Sequence, residues 1–428
     1  MRKVFLIIFI AVILYLPAMG VFFSGDDFFH LRISSTQNIQ DFVSFFSFEK
    51  GDHSASFYRP LTTQVFFFIG EKLFGLSPFG YHYFSIIFFA IVLYLVYFLV
   101  RELLKDERVA ILSVLFYAFS ASHFTQVYYL SAFQELGMTV FYLAGLLAWI
   151  KFLEKKKQSK LFLTLFLFIL ALLSKETAIT FPVVALIIGF YLKKKNDLHW
   201  TSTFFAIGLI YLFFRFLKFG QVAGASYVWD FSLRVFNTLS WYGVWALGLP
   251  EMFLDFIGPD LHLNPNLLLY YPWQTGIIVV SFVFLVFLIL LSLVRHFKNK
   301  IDLIAFCALF FIVTLLPVLF LPWHKFPLEL TLPLFPIALF LGTILRNVNV
   351  KFLSLFIISF LILNLTSYLL TYQTHWVTGR GEVAKRVLTY FAKNYPVFPL
   401  KTIVYFYNDS VFVAPGWGAS KQISETLS

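Results

Sequence analysis

The chain has 428 residues, 60% of them hydrophobic and only 13% charged, with a mean hydropathy of +0.82. A soluble core could not hide so much apolar surface, and apolar runs of about 20 residues recur without the alternation of a barrel. An all-α integral membrane protein remains, each run bonding its own backbone as a helix. The formal net charge of +11 comes mostly from short basic loops, so it reads as membrane topology and makes nucleic-acid binding unnecessary.

In chain order, about eleven transmembrane helices (10–13) are expected, over 4–22, 81–100, 109–121, 133–150, 161–173, 178–192, 200–218, 272–294, 301–321, 328–345 and 351–371. A further one at 232–250 stays open. Met1-Arg2-Lys3 before the first run is read as the flank of an uncleaved anchor. Between the first two spans, 38–50 and 62–76 mix aromatic and charged positions at helical spacing and are expected as interfacial helices in a first outer loop, 23–80. A second large outer loop, 219–271, carries Trp229, Trp241 and Trp245 among several prolines, as suits aromatic anchoring at the membrane surface. Beyond 371 a small α/β outer tail is expected: a helix around 382–393, a strand-like Thr402-Ile403-Val404-Tyr405-Phe406-Tyr407 and a turn at Asn408-Asp409. The expected division is thus a polytopic domain, 1–371, and a small tail, 372–428, expected to break off in mid-domain.

Lys and Arg set the orientation. Arg2 and Lys3, Arg101, Lys105 and Arg108, Lys151 to Lys160, Lys193 to Lys195, Arg295 to Lys300, and Arg346 with Lys351 all fall on one side, which the positive-inside rule makes cytoplasmic. That puts the N-terminus inside and both large loops and the tail outside. The single cysteine, Cys307, lies within a span and excludes an intramolecular disulfide or a cysteine-based metal cage.

The ionisable residues that defy hydropathy then gather at one membrane depth, at the outer ends of different spans: Asp26, Asp27, Arg59, His123, Glu135, Lys175, Glu176, Arg215, Lys218, His324 and Lys325. If the spans bundle, these residues surround one cavity holding carboxylates and cations, which suits an anionic lipid-linked donor and a hydroxyl acceptor. Asp26 or Asp27 could be the general base that deprotonates the acceptor hydroxyl, or could solvate or cap the helix that begins near Phe28. Arg59 precedes Pro60, which favours an extended loop from which its planar fork can chelate phosphate. Arg215 and Lys218, three residues apart, are expected on one helix face. No close ligand spacing points to a metal, although a divalent ion bridging an Asp and a phosphate stays open.

These residues resemble the membrane glycosyltransferases of the GT-C class, in particular the protein O-mannosyltransferase-like group that includes the transmembrane and tetratricopeptide-repeat mannosyltransferases. The resemblance rests on Asp26-Asp27 after the first span, Tyr58-Arg59-Pro60-Leu61-Thr62, Leu76-Ser77-Pro78-Phe79-Gly80-Tyr81-His82 and Leu172-Leu173-Ser174-Lys175-Glu176-Thr177. No tetratricopeptide repeats follow residue 371, and His123-Phe124-Thr125 stands where the family often has His-x-Glu.

The resemblance implies inverting transfer of a sugar from a polyprenyl-phosphate donor to a hydroxyl on a protein, glycan or lipid at the non-cytoplasmic face of a plasma (inner) membrane. It implies Asp26 as base with Asp27 as helper, and Arg59 and Lys175 as donor-phosphate ligands. Arg215, Lys218, His324 and Lys325 are further candidates for the phosphate, with His123, Glu135 and Glu176 in support. No cofactor is required by this chemistry. A transporter or flippase of lipid-linked sugars, or a glycan polymerase or ligase, is the alternative.

Overall fold

The computed structural model of the protein describes residues 1–49, 51–220, 224, 226–257, 262–296, 301–395, 397 and 399. Among the described residues there is no β-strand, and the expected strand-like 402–407 and the turn at 408–409 lie outside them.

The first span, α1 (Arg2–Tyr15), runs on through a 3-10 turn to Gly20. Three short helices follow in the loop before the next span: α2 (Asp26–Ser34), α3 (Ile39–Ser44) and α4 (Phe66–Phe74), the last entered through a π turn at Leu61–Val65. Next come α5 (Pro78–Leu104), α6 (Glu107–Ala118), α7 (Phe124–Tyr128), α8 (Phe133–Lys155), α9 (Gln158–Leu172), α10 (Phe181–Tyr191) and α11 (Thr201–Phe219). The second loop holds α12 (Arg234–Leu247), α13 (Phe253–Phe256) and α14 (Asn266–Tyr270). The remaining elements are α15 (Pro272–His296), α16 (Ile301–Leu319), α17 (Leu334–Ile344), α18 (Val350–Thr374) and α19 (Trp376–Asn394).

Among the described residues seven helical stretches are long and apolar enough to cross a membrane, or eight if α6 and the Ala121–Tyr128 stretch, bent by 55° at their junction, count as one span. Three shorter apolar helices, Gln158–Leu172, Glu176–Tyr191 and Leu334–Ile344, accompany them. The chain is a multi-pass membrane protein. Its outward face is correspondingly apolar: Phe5 and Phe9 on α1, Phe213 and Phe216 on α11, and Val280, Val283 and Leu290 on α15 are all exposed, as lipid-facing residues are.

Some expected bounds shift. The helix expected from Phe28 starts at Asp26. The interfacial helix expected over 38–50 is only α3, because Phe45 and Phe48 turn inward after it, Phe45 against Phe68 and Phe48 stacked on Tyr58 at 4.1 Å. The 232–250 segment forms the 14-residue α12, which is not among the apolar helices of the bundle, and the tail helix extends over all of α19.

The bundle is held by close helix pairs: α8 with α9 and α5, α6 with α17, and α15 with α18. Between α6 and α17 the backbones nearly touch at Gly342, where a Cβ would lie 2.9 Å from the Val109 carbonyl, so a larger residue would force the helices apart. Side-chain caps fix several helix starts, with Asp106 accepting from the Val109 N–H at 3.0 Å and Asn349 from the Phe352 N–H at 2.8 Å. Helices α5 and α8 end on Lys105 and Lys156 in the left-handed conformation, and Lys193 after α10 adopts it too. Each places a cation at a helix C-terminus, in the loops the charge distribution assigns to the cytoplasm.

Candidate active site

At one end of the bundle, segments far apart in sequence enclose a cavity of about 760 Å³. Of the eleven expected site residues, six line it: Asp26, Arg59, Lys175, Glu176, Arg215 and His324. One flank is polar, and the other is apolar, made of Ile179 and Val183 beside α10, Leu212 and Phe216 of α11, and Leu316 and Val318 of α16.

Asp26 and Asp27 part company. Gly25 caps α2 with φ +53° and ψ −125°, a conformation open to glycine, and its missing Cβ leaves room for the Tyr129 hydroxyl and the Trp376 ring. The Asp26 N–H donates to Tyr129 Oη at 3.1 Å, while its carboxylate stays exposed in the cavity. Asp27 is buried on the other side of the helix, away from the cavity. Its Oδ1 accepts from the Ser131 N–H (2.8 Å) and Oγ–H (2.6 Å), and its Oδ2 from the Ser24 N–H (2.8 Å). Burial pushes the Asp27 carboxyl up to about 7 although these donors pull the other way. Asp27 therefore pins α2 to the segment before α8 and does not reach a substrate.

The two motifs Tyr58-Arg59-Pro60-Leu61-Thr62 and Leu173-Ser174-Lys175-Glu176-Thr177 dock on each other. The Leu61 N–H donates to the Leu173 carbonyl at 3.2 Å and Thr62 Oγ1 to the Ser174 carbonyl at 2.5 Å. Arg59 is thereby held against Glu176 as a two-pronged pair, Nε to Oε2 at 2.7 Å and Nη2 to Oε1, with Nη1 on Gln134 and the guanidinium 4.1 Å above the Phe57 ring. Lys175, 2% exposed, lies between two buried carboxylates, Glu135 of α8 and Glu329 of the 3-10 turn Pro327–Leu330, the latter at 2.6 Å. Buried charges survive when they are paired this way.

Arg215 differs. Its Nη1 donates to the Gly220 carbonyl and its Nη2 to the Ser56 carbonyl at 3.4 Å, and among the described residues no carboxylate pairs with it. Lys218, expected beside it, is exposed and off the cavity, because the buried stripe of α11 runs through Phe204, Gly208, Tyr211, Arg215 and Phe219. His324 packs against the Tyr227 ring, tilted by 34° with centroids 4.1 Å apart, and is kept below its ordinary value by burial. Lys325 turns away from the cavity to Asn237 Oδ1 at 2.9 Å. His123 is a core residue, packed on Tyr117 and Phe89 with its Nε2 2.9 Å from the Tyr117 carbonyl, and Glu135 lies behind Lys175 without touching the cavity. Among the described residues no three His, Cys, Asp or Glu side chains converge to hold a metal.

Several cavity residues went unforeseen. Glu329 lies in an apolar stretch expected to be the start of a span, where an acid is itself a functional signal. His30, one helical turn from Asp26, also lines the cavity, and burial lowers it to about 4. Glu251 of the second loop lies 3.3 Å from His375 Nε2, and Trp376 and Arg380 reach in from α19.

Residues 58–221 match the family of dolichyl-phosphate-mannose-protein mannosyltransferases. That segment takes in Arg59, His123, Glu135, Lys175, Glu176, Arg215 and Lys218. The chain is also 29% identical over 132 residues to the protein O-mannosyl-transferase Tmtc1 of Drosophila melanogaster, a stretch covering 31% of this chain and 15% of that protein. In fold it is similar to the oligosaccharyltransferase of Archaeoglobus fulgidus. The apo form aligns with a TM-score of 0.50 at 13% identity, over 92% of this chain and 58% of that one. The same archaeal enzyme with an inhibitory peptide and a dolichol-phosphate gives 0.48 at 11% identity, over 92% and 58%. The chain thus spans little more than half of the solved structures it matches, and a small part of the curated relative. It resembles the GT-C membrane glycosyltransferases, O-mannosyltransferase-like group, as its motifs indicate.

Proposed function

We propose that the protein is an inverting glycosyltransferase that moves one sugar from a polyprenyl-phosphate carrier to an acceptor hydroxyl at the non-cytoplasmic face of a prokaryotic plasma membrane. The observation that carries this reading is one cavity in which an exposed carboxylate, Asp26, shares space with Arg59, Lys175 and Arg215, flanked by an apolar wall between α10, α11 and α16. An isoprenoid chain suits that wall and a phosphate suits those cations. In this reading the bent α6–α7 pair and the three shorter apolar helices are spans too, giving about eleven, with the N-terminus cytoplasmic and the cavity and C-terminal segment outside.

Asp26 takes the proton of the acceptor hydroxyl as its oxygen bonds to the anomeric carbon from the face opposite the phosphate. The bond from that carbon to the phosphate oxygen breaks, and the carrier phosphate leaves with the electron pair. Phosphate is already a fair leaving group, so the protein supplies orientation, one base and positive charge. Arg215, bonded only to carbonyls, meets the phosphate together with His324. Arg59 and Lys175, tied to carboxylates, supply a fixed positive field beside it. Asp27 positions Asp26.

Incubating the purified protein with a polyprenyl-phosphate sugar labelled in the sugar tests this. Release of carrier phosphate with formation of a glycosylated product of inverted anomeric configuration supports the proposal. Translocation of the intact donor in reconstituted vesicles, without cleavage, makes the protein a flippase instead.

A further inference from the structure

The charges around the cavity do not balance residue by residue. Arg59 has Glu176, Lys175 has Glu135 and Glu329, and Glu251 faces His375. Two cavity cations are left over against one unpaired carboxylate, Asp26: Arg215, held by carbonyls, and Arg380, for which no hydrogen-bond or carboxylate partner is found among the described residues. Arg380 is not a solvated surface side chain. It lines the cavity, its Nε is buried without a partner, and its guanidinium lies 4.8 Å from the centre of the Trp376 ring. Its nearest acid on the same helix, Glu382, is turned to Arg386 at 2.8 Å. Trp376 in turn packs edge-on against Tyr129, whose hydroxyl receives the Asp26 N–H, so Arg380 is anchored to the wall that carries the proposed base. A cation that is partly buried, positioned by an aromatic ring and left without a counter-charge is set to receive an anion.

We propose that Arg380, outside the segment matched to the mannosyltransferase family and on the helix that follows the last span, is a ligand of the carrier's phosphate. It rests on the transfer reaction proposed above in naming the anion. The consequence is that α19 is part of the donor site: it brings one cation to the cavity rim, and the phosphate is gripped from two directions in sequence, by Arg215 of α11 and Arg380 of α19. The planar fork of arginine on Trp376 gives that grip its geometry, so lysine replaces it only in part.

Binding alone tests this, and needs no turnover. The full chain and its Arg380→Gln and Arg380→Lys variants are titrated with geranylgeranyl phosphate and, separately, with the uncharged geranylgeraniol. The expected result is that Arg380→Gln weakens the phosphate about ten- to a hundredfold and leaves the alcohol unchanged, with Arg380→Lys in between. If the phosphate binds the Gln variant as tightly as the parent, or if phosphate and alcohol weaken by the same factor, Arg380 is a structural residue and the proposal is overturned. Because the readout is binding, a chain that proves not to transfer sugar still decides it.

Discussion

Lys175→Met should damage the fold in a way that further removal of charge repairs. The Lys175 ammonium lies between Glu135 and Glu329, the latter at 2.6 Å, and the side chains are 2%, 2% and 7% exposed in that order. Taking the cation away leaves two buried carboxylates facing each other with no counter-charge, and breaking a buried pair on one side costs about 3–5 kcal/mol. Replacing all the partners with neutral groups of similar size is often near neutral. Lys175→Met alone should therefore lower the thermal unfolding midpoint of the detergent-solubilised protein well below the parent. Lys175→Met with Glu135→Gln and Glu329→Gln should recover most of the loss. A single variant that melts with the parent, or a triple variant that melts below the single one, would refute the pairing argument.

Asp27→Asn should destabilise the fold by about 1–3 kcal/mol, because an amide nitrogen would face the N–H of Ser24 or Ser131 and leave a buried donor unpaired. Folding raises the Asp27 carboxyl from an ordinary value of about 3.9 to about 7, so its contribution is fully present below the unfolded value and fades as pH rises through 7. Unfolding midpoints of the parent should accordingly fall over that window, and Asp27→Asn should flatten the slope; an unchanged slope in the variant removes Asp27 as its source. Gly25→Ala should cost more than about 1 kcal/mol and lower activity, since φ is +53° and the new Cβ would meet Tyr129 Oη at 3.3 Å. A variant of parental stability and rate would show that the α2 cap has no such constraint.

That the chain is an all-helical, multi-pass bundle was legible because hydropathy acts on whole runs of residues, whereas of the eleven expected spans seven or eight stretches are long and apolar enough to cross among the described residues. The gathering of Asp26, Arg59, Lys175 and Glu176 around one cavity was legible for the same reason: a charge at the end of an apolar run has few places to go. What the sequence hid was partnership. Nothing local to Asp27 says that Ser131 supplies two hydrogen bonds from 104 residues away. Nothing near Lys175 points to Glu329, 154 residues on. Lys218 and Lys325 looked equivalent to Arg215 and His324 by position, and only the buried stripe of α11 and the Asn237 contact separate them. Trp376 and Arg380 lay in a segment read as a separate tail, so their approach to the cavity depended on how α19 folds back after α18.

The most direct measurement is Asp26→Asn assayed with a labelled polyprenyl-phosphate sugar, following binding and transfer separately. Asn keeps the size of the side chain and its place in the cavity but cannot accept the acceptor's proton. The account predicts parental stability and carrier affinity with transfer lowered about 10²- to 10⁴-fold. Transfer at the parental rate would contradict it, since among the described residues the other carboxylates lining the cavity, Glu176, Glu251 and Glu329, each have a partner.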